Sequence, residues 1–463
     1  MRRSLILLLA LAVLSVGILA AAVPYVNRNA ETVTYTEQRL YGDPAVGEGL
    51  QIESMLTSNG KLHWQNTITL GETVETDSDF HFTARYEWEW ELSRDTISLY
   101  CQSNMGMSSN GPIDFMEQPE TAWLADVLTA AAEQTPDGAE DYAVTVPLAP
   151  YIEYYEIAAE STLPVGHTGH SMDDSQLWPT ATEFFHVPVR EGDVASVTVS
   201  KYESGNVYSI GYNLPNVNNI YGSGIQGPDG CWYLLFTARD SDGNPIAGAA
   251  PQGIYRIPVQ KLDEEDGILE QVVESEVELV YATEDGSALY GMEDDTRLLL
   301  TADTEDGSTA ILFDWATMEQ IQTFPIGGHY MGNENGWYQS QVENDHVVTV
   351  STLHSEKEEN DSQWITVWAV GEDGLYHQVI DCDTSAGMEE NSIYTSSIFD
   401  GERFLRVGYA DRYGDNNIHV QICDNQGLQY AALLMCNLRE PDDSGFLIQV
   451  EKDRPTPGLA EGR

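Results

Sequence analysis

The chain has 463 residues, 42% of them hydrophobic, enough for two or three ordinary domains or one large repetitive one, and too apolar for a disordered chain. Its 75 acidic residues outnumber 21 basic ones, giving a net charge of −54. Such a field repels phosphates and anionic headgroups, so no nucleic-acid partner is expected; what remains is recruitment of cations or basic partners, or simply a well-solvated exported surface.

Arg2 and Arg3 precede LILLLALAVLSVGILAAAV, a run of 19 uncharged residues from Leu5 to Val23. As a helix it would span roughly 29 Å, close to the ~30 Å hydrocarbon core of a bilayer. The basic N-terminus places residues 1–23 as a membrane anchor, N-terminus cytoplasmic, with the bulk extracytoplasmic. The membrane partner is engaged through residues 5–23. Ala20, Ala21 and Ala22 also suit a signal peptidase, so the alternative is a chain secreted after cleavage near Ala22.

Residues 24–47 read as a polar linker. LQIESMLTS, KLHWQNTITLG, DFHFTARYEWEWEL and TISLYCQSN then read as four successive strands, rich in β-branched and aromatic residues. Tyr86, Trp88, Trp90 and Leu92 alternate with Glu87, Glu89 and Glu91, the pattern of a half-buried strand. One helical insertion is expected over about 120–133, where Leu124, Val127, Leu128 and Ala131 form a stripe. It completes an N-terminal β-rich region over 48–160, followed by a loop over 161–183.

From 184 to 451 the chain repeats. Asp229, Asp295, Asp345 and Asp400 each sit in an acidic turn before a hydrophobic strand, a second polar turn and another strand, at intervals of 66, 50 and 55 residues. That period suits a β-propeller-like array of four-stranded sheets, one ring with 48–160, since a lone sheet cannot cover both of its apolar faces. The fold class expected is therefore all-β, with one transmembrane helix and one short helical insertion. Phe446–Val450 would complete a sheet begun by the N-terminal strands, and 452–463 reads as a disordered tail.

The basic N-terminus, single span, LHWQNTITLG-type strand, Trp123 helix and Asp-Gly-punctuated repeats resemble uncharacterised single-span extracytoplasmic β-propeller-like proteins of Firmicutes. The resemblance is one of layout, implies no particular activity, and lacks the Trp-Asp and kelch signatures.

Five scattered cysteines, Cys101, Cys231, Cys382, Cys423 and Cys436, form no CxxC; most read as small apolar residues, with Cys423 and Cys436 a candidate bridge across a hairpin. Gly222 to Gly227 match GxGxxG, but Pro228-Asp229-Gly230 and a strand follow instead of a helix, so the match reads as a flexible loop and no cofactor site. His167, His170, Asp173 and Asp174 supply the ligand types of a zinc-like site, although Gly169 argues against a helix aligning them and a polar loop explains the same letters. Asp240 and Asp242, and Asp303 and Asp306, have the oxygens that calcium needs, but Asp-Gly is also the favoured pair for a tight turn. Calcium is thus a secondary reading, and otherwise no cofactor is expected. Aromatic clusters at Trp88/Trp90, Trp364/Trp368 and Tyr151/Tyr154/Tyr155 suit packing first and ligand stacking second.

No residue is singled out as catalytic: GxSxG, HExxH and P-loop motifs are absent from the sequence. The leading expectation is a non-enzymatic extracytoplasmic binding or interaction protein of unspecified ligand. An enzyme, glycan- or peptide-directed, with its site in a propeller channel is one alternative; an envelope assembly factor is another.

Overall fold

A computed structural model describes residues 33–452 apart from 59–61, 83–95, 102, 110–112, 114–121, 163–176, 216, 218, 265–266, 293–294, 305–306, 330–335, 344–345, 355–360, 389–391, 411–416 and 439–446. The expected anchor at 1–23 and the alternating Tyr86–Leu92 segment lie outside these residues. Among the described residues no helix is long and apolar enough to cross a membrane. Over the described residues the fold is all-β, built of antiparallel sheets, most of them four-stranded, with two short α-helices and a few single 3-10 turns.

In chain order the first strands are β1 (Tyr35–Gly42), β2 (Leu50–Ser58), β3 (Leu62–Thr69) and β4 (Glu75–Phe82). β5 (Thr96–Cys101) and β6 (Asn104–Ser108) precede helix α1 (Ala125–Gln134), after which come β7 (Tyr142–Pro147) and β8 (Ile157–Thr162). Helix α2 (Ala181–Phe185) leads into β9 (Val194–Lys201), β10 (Val207–Asn213), β11 (Ile220–Gln226), β12 (Trp232–Ala238) and β13 (Gly253–Ile257). A hairpin of β14 (Val259–Glu264) and β15 (Gly267–Val272) is followed by β16 (Glu278–Ala282). Three further meanders close the chain: β17 (Gly286–Gly291), β18 (Arg297–Thr304), β19 (Gly307–Asp314), β20 (Gln320–Pro325); β21 (Gly336–Val342), β22 (His346–Leu353), β23 (Ser362–Val370), β24 (Tyr376–Asp383); and β25 (Ser392–Phe399), β26 (Phe404–Ala410), β27 (Ile418–Asp424), β28 (Gly427–Cys436), before a last strand, β29 (Leu447–Lys452).

The chain divides into two compact units, Glu89–Pro325 and Met1–Trp88 with Ile326–Arg463. In the first, sheet order is β16-β13-β12-β11-β5-β8, β6-β10-β9-β7 and β17-β18-β19-β20. The α1 stripe is fully inside: Leu124, Val127, Leu128 and Ala131 are each 0% exposed, in one core with β7 and β9 residues such as Val146 and Val197. Burying each of the Leu and Val side chains contributes about 1.5–3 kcal/mol, more than the weak intrinsic preference of a ten-residue helix. In the second unit the orders are β29-β2-β3-β4, β21-β22-β23-β24 and β1-β28-β27-β26-β25.

Three of the repeat anchors occupy the same topological place, Asp345 lying outside the described residues. Asp229, Asp295 and Asp400 fall between β11 and β12, β17 and β18, and β25 and β26, the first hairpin of each of those meanders. Asp400 shows one reason for an acid there: its carboxylate accepts from the backbone N–H of Glu402 and Arg403 at 3.0 and 2.7 Å, closing the turn.

Several local expectations need correction. The 24–47 stretch is not simply a linker, because Tyr35–Gly42 adds an edge strand to β28. The four N-terminal strands are not one series: β2, β3 and β4 share a sheet, whereas β5 pairs with β11 and β8. The strand expected from Asp79 begins earlier, at Glu75, since only one face of β4 has to be apolar. The loop expected over 161–183 overlaps the end of β8 and the start of α2, and the tail expected from 452 overlaps the last residue of β29, which pairs along β2. The GxGxxG match is no loop at all. It runs along β11, where a Cβ on Gly224 would meet Tyr233 O at 2.5 Å and Ile97 Cγ2 at 2.8 Å, so glycine makes room for the two flanking strands. Cys423 and Cys436 do not bridge; Cys423 lies opposite Leu428, and Cys436 lies at the far end of β28 opposite Tyr35.

One buried base makes the second unit acid-sensitive. His419 is 0% exposed, its Nε2–H donating to Gly387 O at 2.9 Å. Burial, opposed by that bond and reinforced by nearby Arg406, lowers its pKa from 6.5 to about 4. Between those values the unfolded chain takes up a proton that the folded one refuses, so stability is fully present above pH 6.5 and falls as pH drops toward 4. The loss is at most about 3 kcal/mol. Urea unfolding at neutral and mildly acid pH is expected to show it, and His419→Gln is expected to flatten the dependence within that window.

Candidate functional site

Of the residues singled out for metal, only Asp240, Asp242 and Asp303 are among the described residues. His167, His170, Asp173, Asp174 and Asp306 lie outside the described residues. Asp240 Oδ1 accepts from the backbone N–H of Asp242 and Asn244 at 3.0 and 2.9 Å, and Oδ2 is paired with Arg190 at 3.1 Å. Asp303 accepts from Ser287 Oγ at 3.0 Å and also from Ser308 Oγ. Their geometry is that of turn-closing acids, and among the described residues no three His, Cys, Asp or Glu side chains gather as metal ligands. Of the aromatic clusters, Trp88 and Trp90 lie outside the described residues, and Tyr155 is buried, donating to Asp193 Oδ2 at 2.7 Å. Trp364 is different.

Sheet β21-β22-β23-β24 is two-faced because its strands alternate. Val348, Val350, Ile365, Val367, Ile380 and Cys382 form one face and pack with Phe404, Cys423, Leu428 and Ala431. Trp364 and Thr366 of β23, with Asp381 of β24, take the opposite face, on which directly paired residues sit side by side. Asp381 Oδ1 accepts three bonds: Trp364 Nε1 at 2.6 Å, His329 Nε2 at 2.7 Å and Thr366 Oγ1 at 3.0 Å. The His329 ring stacks on Trp364 with centroids 4.4 Å apart. Burial raises the Asp381 pKa, but the bonds from His329, Trp364 and Thr366 outweigh it and leave the carboxyl below its ordinary value. It is therefore a persistent anion at neutral pH, and its Oδ2 is left with no hydrogen-bond donor among the described residues.

A cavity of about 550 Å³ opens here. Its lining combines Trp364, Asp381, Cys382 and Asp383 with Ser385, Tyr41 and the β27–β28 turn at Asn425, Gln426 and Leu428. Asp383 Oδ1 accepts from the backbone N–H of Ser385 at 2.9 Å, holding the short 3-10 turn Ser385–Gly387 in place. Two carboxylates and two aromatic rings thus line the space, and no Lys or Arg is among the described lining residues. A second cavity, about 670 Å³, lies in the other unit beside Asp229, Tyr233, Arg256 and Trp315. There the opposite charges already meet, Arg256 Nη2 standing 2.7 Å from Asp229, which leaves less uncompensated field for a ligand.

Only Trp364 of this site was visible beforehand as a candidate. His329, Asp381, Tyr41 and the 425–428 turn are far apart in sequence, and 75 acidic residues hide any two that matter. One local signal was available, the Gly327-Gly328-His329 triplet. A Cβ on Gly328 would strike Ser351 Oγ and lie 2.8 Å from Tyr338 Cβ, so glycine is what lets the chain carry His329 to Asp381. Gly328→Ala is expected to destabilise by about 1–3 kcal/mol in urea unfolding. It is also expected to raise the access of an acrylamide quencher to Trp364, from which His329 is displaced.

No family model matches the chain, and no curated protein matches it. Among solved structures it is similar to a protein from Bacteroides fragilis described as a 6-phosphogluconolactonase, at 11% identity and TM-score 0.30, over 88% of this chain and 100% of that one. It is also similar to TolB from Acinetobacter baumannii, at 12% identity and TM-score 0.22, over 87% and 84% of the two chains. The β-propeller domain of the Trilobed protease from Pyrococcus furiosus is similar at 16% identity and TM-score 0.22, over 46% of this chain and 68% of that one. At these scores the likenesses carry no argument about what the chain does.

Proposed function

We propose that the chain is a membrane-held, extracytoplasmic binding protein of β-propeller architecture whose cavity beside Trp364 takes a small organic cation. The observation that carries the ligand class is the lining: Asp381 and Asp383 with Trp364 and Tyr41, and no basic side chain among the described lining residues. Carboxylates attract a cation by charge and aromatic faces by their quadrupole, the latter contributing about 0.5–2 kcal/mol per ring. The net charge of −54 adds a long-range field of the same sign, raising the local concentration of cations. The architecture is supported by the repeated antiparallel meanders, and the address by the uncharged run from Leu5 to Val23 behind Arg2 and Arg3.

A second reading, an enzyme, draws on the His329–Asp381 pair, since a carboxylate orienting an imidazole is how a general base is commonly held. Hydrolysis of glycan or peptide substrates, lost in His329→Gln, would favour it over the binding reading.

Calorimetric titration of the detergent-solubilised full chain with choline and with its neutral tert-butyl isostere separates charge from shape. Saturable binding of choline alone is expected. Trp364→Ala is expected to weaken it about tenfold, and Asp381→Asn by at least as much. Equal binding of the two probes, or none of choline, would contradict the proposal.

A further inference from the structure

Beneath that cavity lies a pair of thiols to which the sequence spacing gave no clue. Cys382 on β24 belongs to the apolar face of its sheet and also lines the cavity; it is 5% exposed. Cys423 on β27 is 0% exposed and belongs to the same core cluster. It lies on the strand face that carries His419 and Gln421. Gln421 reaches across to Gln363 Oε1 at 3.5 Å and to Gly387 O at 3.0 Å, so this face of β27 meets the β23–β24 end of the neighbouring sheet. Both thiols belong to one apolar cluster there, near enough for Cys382 to bear on the ionisation of Cys423. Both are free in this structure.

We infer that Cys382 and Cys423 form a redox-closable staple that joins the two walls of the cavity, with a low-molecular-weight disulfide as oxidant. The walls are β24, through Asp381 to Asp383, and the β27–β28 turn, which follows Cys423 by two residues. The route follows from exposure. Cys382, reached through the cavity, attacks one sulfur of oxidised glutathione as the thiolate, releasing one glutathione thiolate and leaving a mixed disulfide. Cys423 then gives up its proton and attacks the Cys382 sulfur, releasing the second glutathione. One small disulfide is reduced to two thiols as two protein thiols are oxidised to one bond. The neighbouring Cys382 thiol, together with burial, holds the Cys423 thiol well above its ordinary pKa, which makes it a poor first nucleophile; once Cys382 is in the mixed disulfide, the contribution of its free thiol is gone. Cys101 and Cys231 are buried among other core clusters, and Cys436 lies at the far end of β28, so none of the three competes for this partner.

The inference stands independently of what the cavity binds. Its test is the detergent-solubilised full chain, incubated with oxidised glutathione, then denatured, alkylated with N-ethylmaleimide and mapped by mass spectrometry. Three alkylated cysteines and one peptide pair joining Cys382 to Cys423 are expected. The melting temperature is expected to rise by several degrees and to return on addition of dithiothreitol, because the bond closes a long loop. In Cys423→Ser a single glutathione is expected to remain on Cys382. Five alkylated cysteines after oxidation of the wild-type chain, or a bridge through any other cysteine, would overturn the inference whether or not the variant folds.

Discussion

Everything in the second unit depends on strand alternation producing sheets that cannot be left alone. In β22 and β23, Val348, Val350, Ile365 and Val367 point one way while Thr349, Ser351, Trp364 and Thr366 point the other. The apolar side requires a cover, and the sheet of β25 to β28 supplies it with Phe404, Cys423, Leu428 and Ala431. That second sheet is apolar on its other face as well, where Leu405, Val407, Val420 and Ile422 pack with Ile52, Ile68 and Leu70 of the N-terminal strands. Each sheet is thus the solvent shield of the next, and the outermost strands come from the two ends of the chain.

The same alternation creates the site. Because one face is taken up by the core, the polar and aromatic residues of β23 and β24 are brought together on the other. A tryptophan indole, a threonine hydroxyl and an imidazole then converge on one carboxylate oxygen. Three donors to a single oxygen cost little when the carboxylate is ionised, which is the state they favour. The proposal of a cationic ligand rests on that carboxylate, on the rest of the lining and on the acidity of the whole molecule.

What could be read from the sequence was what depends on period. The α1 stripe, the acidic first hairpin of each meander and the final strand meeting the N-terminal ones all follow from residues near one another or from repetition. Sequence and fold part company where a local letter pattern has two physical meanings. Gly222 and Gly224 suggested a loop because glycine is usually conformational; here it is steric, leaving room between β5 and β12. Tyr35–Gly42 looked like a linker because an edge strand exposes one side and reads as polar. The site itself was hidden because its members are joined only by register: Asp381 meets Thr366 across a strand pair and His329 across a glycine-dependent approach.

The claim that the unit is assembled from both ends of the chain is tested most directly by hydrogen–deuterium exchange on the full chain and on one ending before Leu447. Loss of β29 is expected to strip protection from Leu50–Ser58, its partner strand, while His346–Leu353 and Ser362–Val370 stay protected. Unchanged protection over Leu50–Ser58 would contradict it.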